Sequence, residues 1–137
     1  MIAVDTNVLV RIVLGDDPAQ ARVAERLFIK ARTEQTTLFV ADVVLCELVW
    51  VLTRRAGVSR AQIAGALEQL MRTELITVDD SGVVDRAVRA YRAGKGDFAD
   101  YLILEHATAA GATEVVTFDR VLKGEDGIRV LGAKADG

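Results

Sequence analysis

The sequence predicts an α/β fold: a three-layer α/β/α sandwich in which a short, mostly parallel sheet carries helices on both faces. Strand-like apolar runs alternate with helix-like runs along the chain, the pattern of parallel strands joined by helical crossovers. The strand-like runs are short and almost wholly apolar, as burial on both faces of a sheet requires. A length of 137 residues with 51 % hydrophobic residues fits one domain, residues 1–137, with a real core, and excludes a disordered chain.

Each element has its own signal. "IAVD" (Ile2–Asp5) reads as a short buried strand, and "TNVLVRIVLG" as a turn into a helix that ends near Gly15. "DDPAQARVAERLFIKAR" is a helix with Asp17 as cap, Pro18 at the first helical position, and Ala21, Ala24, Leu27 and Phe28 on one face. "TLFVA" (Thr37–Ala41) is the second strand. Asp42 is expected to cap the following helix, which runs to Arg55 and stops at Gly57. Ser59 and Gln62 stand at capping-box spacing before "AQIAGALEQLM". "LITV" (Leu75–Val78) is a third strand, and "DSGVVDRAVRAYRAG" a helix capped by Asp80 or Ser81 and stopped by Gly94. "DFADYLILEHATAAG" is a helix opened by Asp97 and closed by Gly111. "EVVTFD" (Glu114–Asp119) is a clear strand, "IRV" (Ile128–Val130) a last short one, and "AKADG" a terminus expected to fray.

Composition narrows the function. The net charge of −3 and a sequence pI near 5.2 exclude a protein that holds nucleic acid mainly through a basic surface. They leave room for an enzyme that meets nucleic acid through a metal ion and a few arginines. One cysteine cannot form an internal disulfide, which suits a reducing compartment. Met1 leads into an apolar strand without a basic leader, and the longest apolar run, Leu38–Thr53, is broken by Asp42 and Glu47. Neither a secretory signal nor a membrane span is expected, and the cytoplasm is the expected location.

The acids carry the chemistry. In open α/β sheets, ligands bind beyond the carboxyl ends of the strands. Two strands finish on an aspartate, Asp5 and Asp119, so parallel strands would set both on one rim. Asp97 and Asp100 lie at the start of one helix, three residues apart and on neighbouring positions of one face. Glu47 sits amid "VVLCELVWVL", with Val43, Val44, Trp50 and Val51 as its helical neighbours and no cation among them. A buried, unpaired carboxylate costs several kcal/mol or takes up a proton. Glu47 therefore either reaches the surface or meets something positive. A divalent ion shared with Asp5, Asp100 and Asp119 would serve, and oxygen-only ligation suits Mg²⁺ or Mn²⁺. Taken singly, each aspartate also reads as a strand-end turn residue, a helix cap or a partner of the helix dipole.

Together the stretches "AVDTNVLV", "ADVVLCELVWVL", "DFADYLILEHATAAGA" and "VVTFDR" resemble the PIN-domain ribonucleases, in particular the VapC-like toxins of bacterial toxin–antitoxin pairs. They occur in the family's order and cover nearly the whole chain. The resemblance implies a Mg²⁺- or Mn²⁺-dependent endoribonuclease that hydrolyses RNA with metal-activated water. It implies Asp5, Glu47, Asp100 and Asp119 as the catalytic, metal-holding acids, Asp97 as an accessory ligand, and Thr6, Asn7 and Thr117 as supporting residues behind them. It also implies a cognate antitoxin and a homodimer. The apolar stretches Val8–Leu14 and Ala21–Ile29 offer either a groove for an antitoxin segment or ordinary core packing.

Other residues read as structural. His106, six positions after Asp100, points about 240° away from it around the helix. Cys46 reads as a small buried hydrophobe, and Trp50 as core or else part of a groove wall. Arg11, Arg54, Arg55 and Arg60 offer phosphate contacts or a solvated face. The alternative functions are a Mg²⁺-binding receiver-type signalling domain and a PIN-like protein that binds RNA without cutting it. A receiver usually shows two adjacent acids after its first strand, where "AVDTN" has one. A haloacid-dehalogenase-like phosphatase wants Asp-x-Asp there, and Asn7 stands in the second place.

Overall fold

The computed structural model describes residues 1–55 and 57–132; the stretch 133–137, expected to fray, lies outside the described residues. The chain divides into two compact units, Met1–Ser81 and Gly82–Gly137.

In the first unit the order is β1 (Ile2–Ala3), α1 (Thr6–Leu14), α2 (Pro18–Thr33), β2 (Leu38–Val40), α3 (Asp42–Thr53), α4 (Arg60–Arg72) and β3 (Ile76–Val78). The sheet order is β1-β2-β3, all parallel, with Ala3 opposite Phe39 and Phe39 opposite Thr77. Each crossover is a pair of helices, so the α/β class and the parallel pairing stand as expected. Local chemistry sets the helix ends. Asp17 accepts from the Gln20 N–H at 3.1 Å, with Pro18 next to it in the first turn. Gly15, at φ +61°, takes the left-handed position that closes α1. The capping box forms in full: Gln62 N–H donates to Ser59 Oγ at 3.1 Å, and Ser59 N–H to Gln62 Oε1 at 2.8 Å. Leu9, Leu38, Val40, Leu45, Leu48, Leu52, Ile63 and Leu67 are buried in this unit. Each fully buried leucine or isoleucine contributes roughly 1.5–3 kcal/mol of hydrophobic stabilisation.

One cap differs from expectation. Asp42 is the first residue of α3, and Ala41 occupies the cap position with no side-chain hydrogen bond. The Asp42 N–H donates instead to Asp79 Oδ2 at 3.2 Å, 37 residues further on. The parallel register sets the end of β3 beside the start of α3, so a neighbouring strand supplies the acceptor that alanine lacks.

The boundary falls after the first residue of α5 (Ser81–Ala93); the second unit holds the rest of that helix, α6 (Phe98–Ala109), β4 (Val115–Thr117), a 3₁₀ turn (Arg120–Leu122) and β5 (Ile128–Val130). β4 and β5 pair in parallel as a separate two-stranded sheet, Thr117 opposite Val130. Val83, Val84, Val88, Tyr91, Phe98, Tyr101, Leu102 and Leu122 are buried here, and Tyr91 meets Phe98 edge-on with centroids 6.1 Å apart. The expectation of two-sided burial fails at β4: Val116 is 50 % exposed, and Phe118 just beyond the strand is 74 % exposed. The strand is shorter than the stretch Glu114–Asp119 because only its three central residues pair with β5. No helix among the described residues is long and apolar enough to cross a membrane.

Candidate active site

In the first unit, Asp5 follows β1 and opens α1. Its Oδ1 accepts from the Thr6 N–H at 2.6 Å, and the side chain is exposed. Thr6 behind it is 6 % exposed, and its hydroxyl makes no hydrogen bond among the described residues. Asn7 is exposed.

Glu47 resolves the puzzle of its apolar surroundings by lying outside. α3 buries Val44, Leu45, Leu48, Val49 and Leu52 and turns Val43, Glu47, Trp50 and Arg54 outward. At about 100° per residue these four fall in one stripe roughly 60° wide. The carboxylate is exposed to water, so its apolar neighbours in sequence do not bury it. Trp50, expected in the core, is 59 % exposed, with the Arg54 guanidinium 3.9 Å above its ring. Helical phase explains the correction: Trp50 shares the outer face with Glu47, and the leucines take the inner one.

In the second unit, Asp97 and Asp119 both bear on Asp100. Asp100 lies in the first turn of α6, and its Oδ2 accepts from the Asp97 N–H at 3.0 Å. Burial, and then the charges of Asp97 and Asp119, hold the Asp100 carboxyl above the ordinary aspartate range, against the pull of that N–H. Asp119 follows β4; its Oδ1 accepts from the Val121 N–H at 3.0 Å, and its own N–H donates to Thr117 Oγ1 at 3.1 Å. Asp5, Asp100 and Asp119 therefore share one device. A local backbone N–H ties down one carboxylate oxygen, while the second accepts no hydrogen bond among the described residues.

The start of α6 is braced by residues that carry no sequence signal of their own. The Tyr101 hydroxyl accepts from the Gly96 N–H at 3.0 Å and donates to Glu125 Oε1 at 2.7 Å. A Cβ on Gly94 would lie 1.9 Å from that hydroxyl, and one on Gly96 would lie 2.4 Å from Leu122 Cδ2. Both glycines let the loop before Asp97 press against Tyr101 and Leu122. Only the helix-stop reading of Gly94 hinted at this.

Among the described residues no three His, Cys, Asp or Glu side chains form a ready-made cation cage. The donor chemistry around Asp100 nonetheless suits a hard divalent cation: Asp97, Asp100 and Asp119 offer oxygen only, and the charges of Asp97 and Asp119 on Asp100 are a repulsion that a cation would relieve. His106 is exposed on α6. Cys46 is half-buried rather than buried, and burial together with the charge of Asp42 pushes its thiol up.

Comparison with known proteins places these features. The chain is 29 % identical, over 123 residues and 90 % of each chain, to a protein of Aquifex aeolicus (strain VF5) named VapC ribonuclease. No solved structure matches it. The family model described as PIN domain matches residues 2–124, a span that takes in every candidate acid, and the chain belongs to the PIN-domain family.

Proposed function

We propose that this protein is a metal-dependent endoribonuclease, the toxin of a toxin–antitoxin pair, acting in the cytoplasm. One observation carries the reading: residues 2–124 match the PIN-domain family, and that span sets Asp97 and Asp100 at the start of α6 and Asp119 just past β4. The similarity to a VapC ribonuclease supports the same conclusion. Membership of the PIN-domain family leaves the receiver-type reading without support.

Asp5, Glu47, Asp100 and Asp119 are the residues we assign to hold Mg²⁺ or Mn²⁺, with Asp97 as accessory. When bound, such an ion polarises a phosphodiester oxygen, lowers the pKa of water and steadies the leaving oxygen. The chain itself fixes the acids. Thr6 N–H, Asp97 N–H and Val121 N–H each lock one carboxylate rotamer, Thr117 holds the backbone at Asp119, and Thr6 and Asn7 flank Asp5. No Ser, Cys or His nucleophile is required.

For the partner, an open groove of about 430 Å³ runs over the first unit, lined by Ile12 and Val13 of α1, Phe28 of α2, and Ala66 and Leu70 of α4, with Glu25 at its edge. An amphipathic antitoxin segment with a basic side chain opposite Glu25 fits this groove. We further propose a homodimer, which light scattering of the purified protein checks.

The deciding experiment is digestion of total cellular RNA with Mn²⁺ or Mg²⁺, with and without EDTA, by the parent and by Asp5→Asn and Asp119→Asn. The reading expects cleavage by the parent alone, abolished by the chelator and reduced at least 100-fold in both variants, with unchanged circular dichroism. Full cleavage in EDTA would overturn it.

A further inference from the structure

Just past Asp119 the chain forms a concave basic surface. An open cleft of about 680 Å³ is lined by the 3₁₀ turn, the turn through Gly124, and β5. Its lining includes three cations, Arg120, Lys123 and Arg129, and no acid, in a chain whose net charge is −3. The cations differ in how they are held. Arg129 is clamped by Glu114: Nε lies 3.1 Å from both carboxylate oxygens and Nη2 lies 2.7 Å from Oε1. Arg120 and Lys123 are exposed and form no ion pair among the described residues. Gly124 and Gly132 leave parts of the wall without side chains, and Ile128, Val130 and Leu131 make the rest apolar.

A polyanion cannot approach Asp97, Asp100 and Asp119 without meeting their repulsion. Cations beside the acids offset it, and Arg120 is the residue next to Asp119 in the chain. We propose that this cleft is a phosphate-binding subsite for single-stranded RNA, with Arg120 and Lys123 holding backbone phosphates that flank the cleaved bond, while Arg129, its charge balanced by Glu114, fixes the shape of the wall. The proposal rests on the ribonuclease reading and adds the residues that seat the substrate. Two unpaired cations on one concave wall suit a strand of regularly spaced phosphates, and the apolar floor accommodates sugars. An acidic protein segment is the competing occupant, and the cleft's position beside Asp119 favours RNA.

The test uses a fluorescently labelled, 2′-O-methylated RNA oligonucleotide that resists cleavage, with anisotropy read in Mg²⁺ across a range of KCl. Unmodified RNA is digested in parallel. Each cation that neutralises a phosphate of single-stranded RNA steepens the fall of log K with log salt by roughly 0.7. Arg120→Ala/Lys123→Ala is expected to bind roughly 10-fold or more weaker at low salt, with the slope shallower by about 1.4. Lys123→Ala alone should show about half that slope change, and Arg120→Lys should restore most of the parent slope. Arg32→Ala, on the exposed face of α2, serves as a control with parent behaviour. If the parent binds and cleaves RNA while the double variant matches it in affinity and slope, the cleft proposal falls alone. If the parent neither binds nor cleaves RNA, the ribonuclease reading falls and takes the proposal with it. Poly-glutamate competing as strongly as RNA, through the same two cations, assigns the cleft to an acidic protein segment and overturns the proposal.

Discussion

Alanine at Gly94 tests the brace behind α6. Its Cβ would stand 1.9 Å from the Tyr101 hydroxyl and 2.7 Å from both Tyr101 Cζ and Glu125 Oε1, inside any tolerable contact. Tyr101 is fully buried, so its ring cannot swing into solvent; either the ring or the loop must move. Overpacking of this kind costs about 1–3 kcal/mol. Moving the hydroxyl also breaks its bonds to Gly96 N–H and Glu125, each contributing about 1 kcal/mol. Gly94→Ala is therefore expected to lose about 3–5 kcal/mol, or roughly 3–5 °C in Tm per kcal/mol for a chain of this size. Urea denaturation followed by far-ultraviolet circular dichroism measures the loss. A double-mutant cycle identifies its cause. Tyr101→Phe removes the nearest atom but leaves Cζ in conflict, so the double variant should be more stable than the sum of the single losses predicts, by about 1 kcal/mol. A Gly94→Ala protein within about 0.5 kcal/mol of the parent would refute the reasoning, because that is the range of an ordinary surface substitution.

Further predictions concern the first unit. Asp79→Ala removes the acceptor of the Asp42 N–H and should cost about 0.5–2 kcal/mol in thermal melts, while Asp79→Asn, which keeps an acceptor, should cost less; equal losses in the two would deny the contact. Trp50→Ala should lose about 1 kcal/mol or less, chiefly its cation–π contact with Arg54. A loss above about 3 kcal/mol would return Trp50 to the core. Cys46 should react with a thiol reagent far more slowly in the native protein at pH 7 than in urea, since burial and the Asp42 charge disfavour its thiolate; equal rates would refute that.

Features written in a few consecutive residues were legible in the sequence. Asp17–Pro18, Ser59 with Gln62, and the glycine after α1 fixed helix ends because their partners lie within one turn. The strand-end positions of Asp5 and Asp119 were legible for the same reason. Partnerships across the fold were not. Nothing near Asp42 announces that Asp79 will cap its helix, and nothing near Tyr101 announces Glu125, 24 residues away. Glu47 shows a different limit. An apolar helix looks buried all round in one dimension, and only packing reveals that Val43 and Trp50 face outward beside it. The apolar reading of β4 failed likewise, because Val116 finds no cover. The basic wall of Arg120, Lys123 and Arg129 escaped notice because its members are spread over ten residues and converge only when the 3₁₀ turn folds toward β5.

A single residue, Ala41, separates β2 from α3. That joint has no slack, so the rotational phase of the helix is geared to the pleat of the strand. One inserted residue would turn every α3 side chain by about 100°, swinging leucines into solvent and dragging Glu47 off the outer stripe. The connector at 34–37 can absorb such an indel, whereas this junction would convert it into a wholesale inversion of inside and outside. Among chains built on this plan, length drift should be confined to connectors of the former kind.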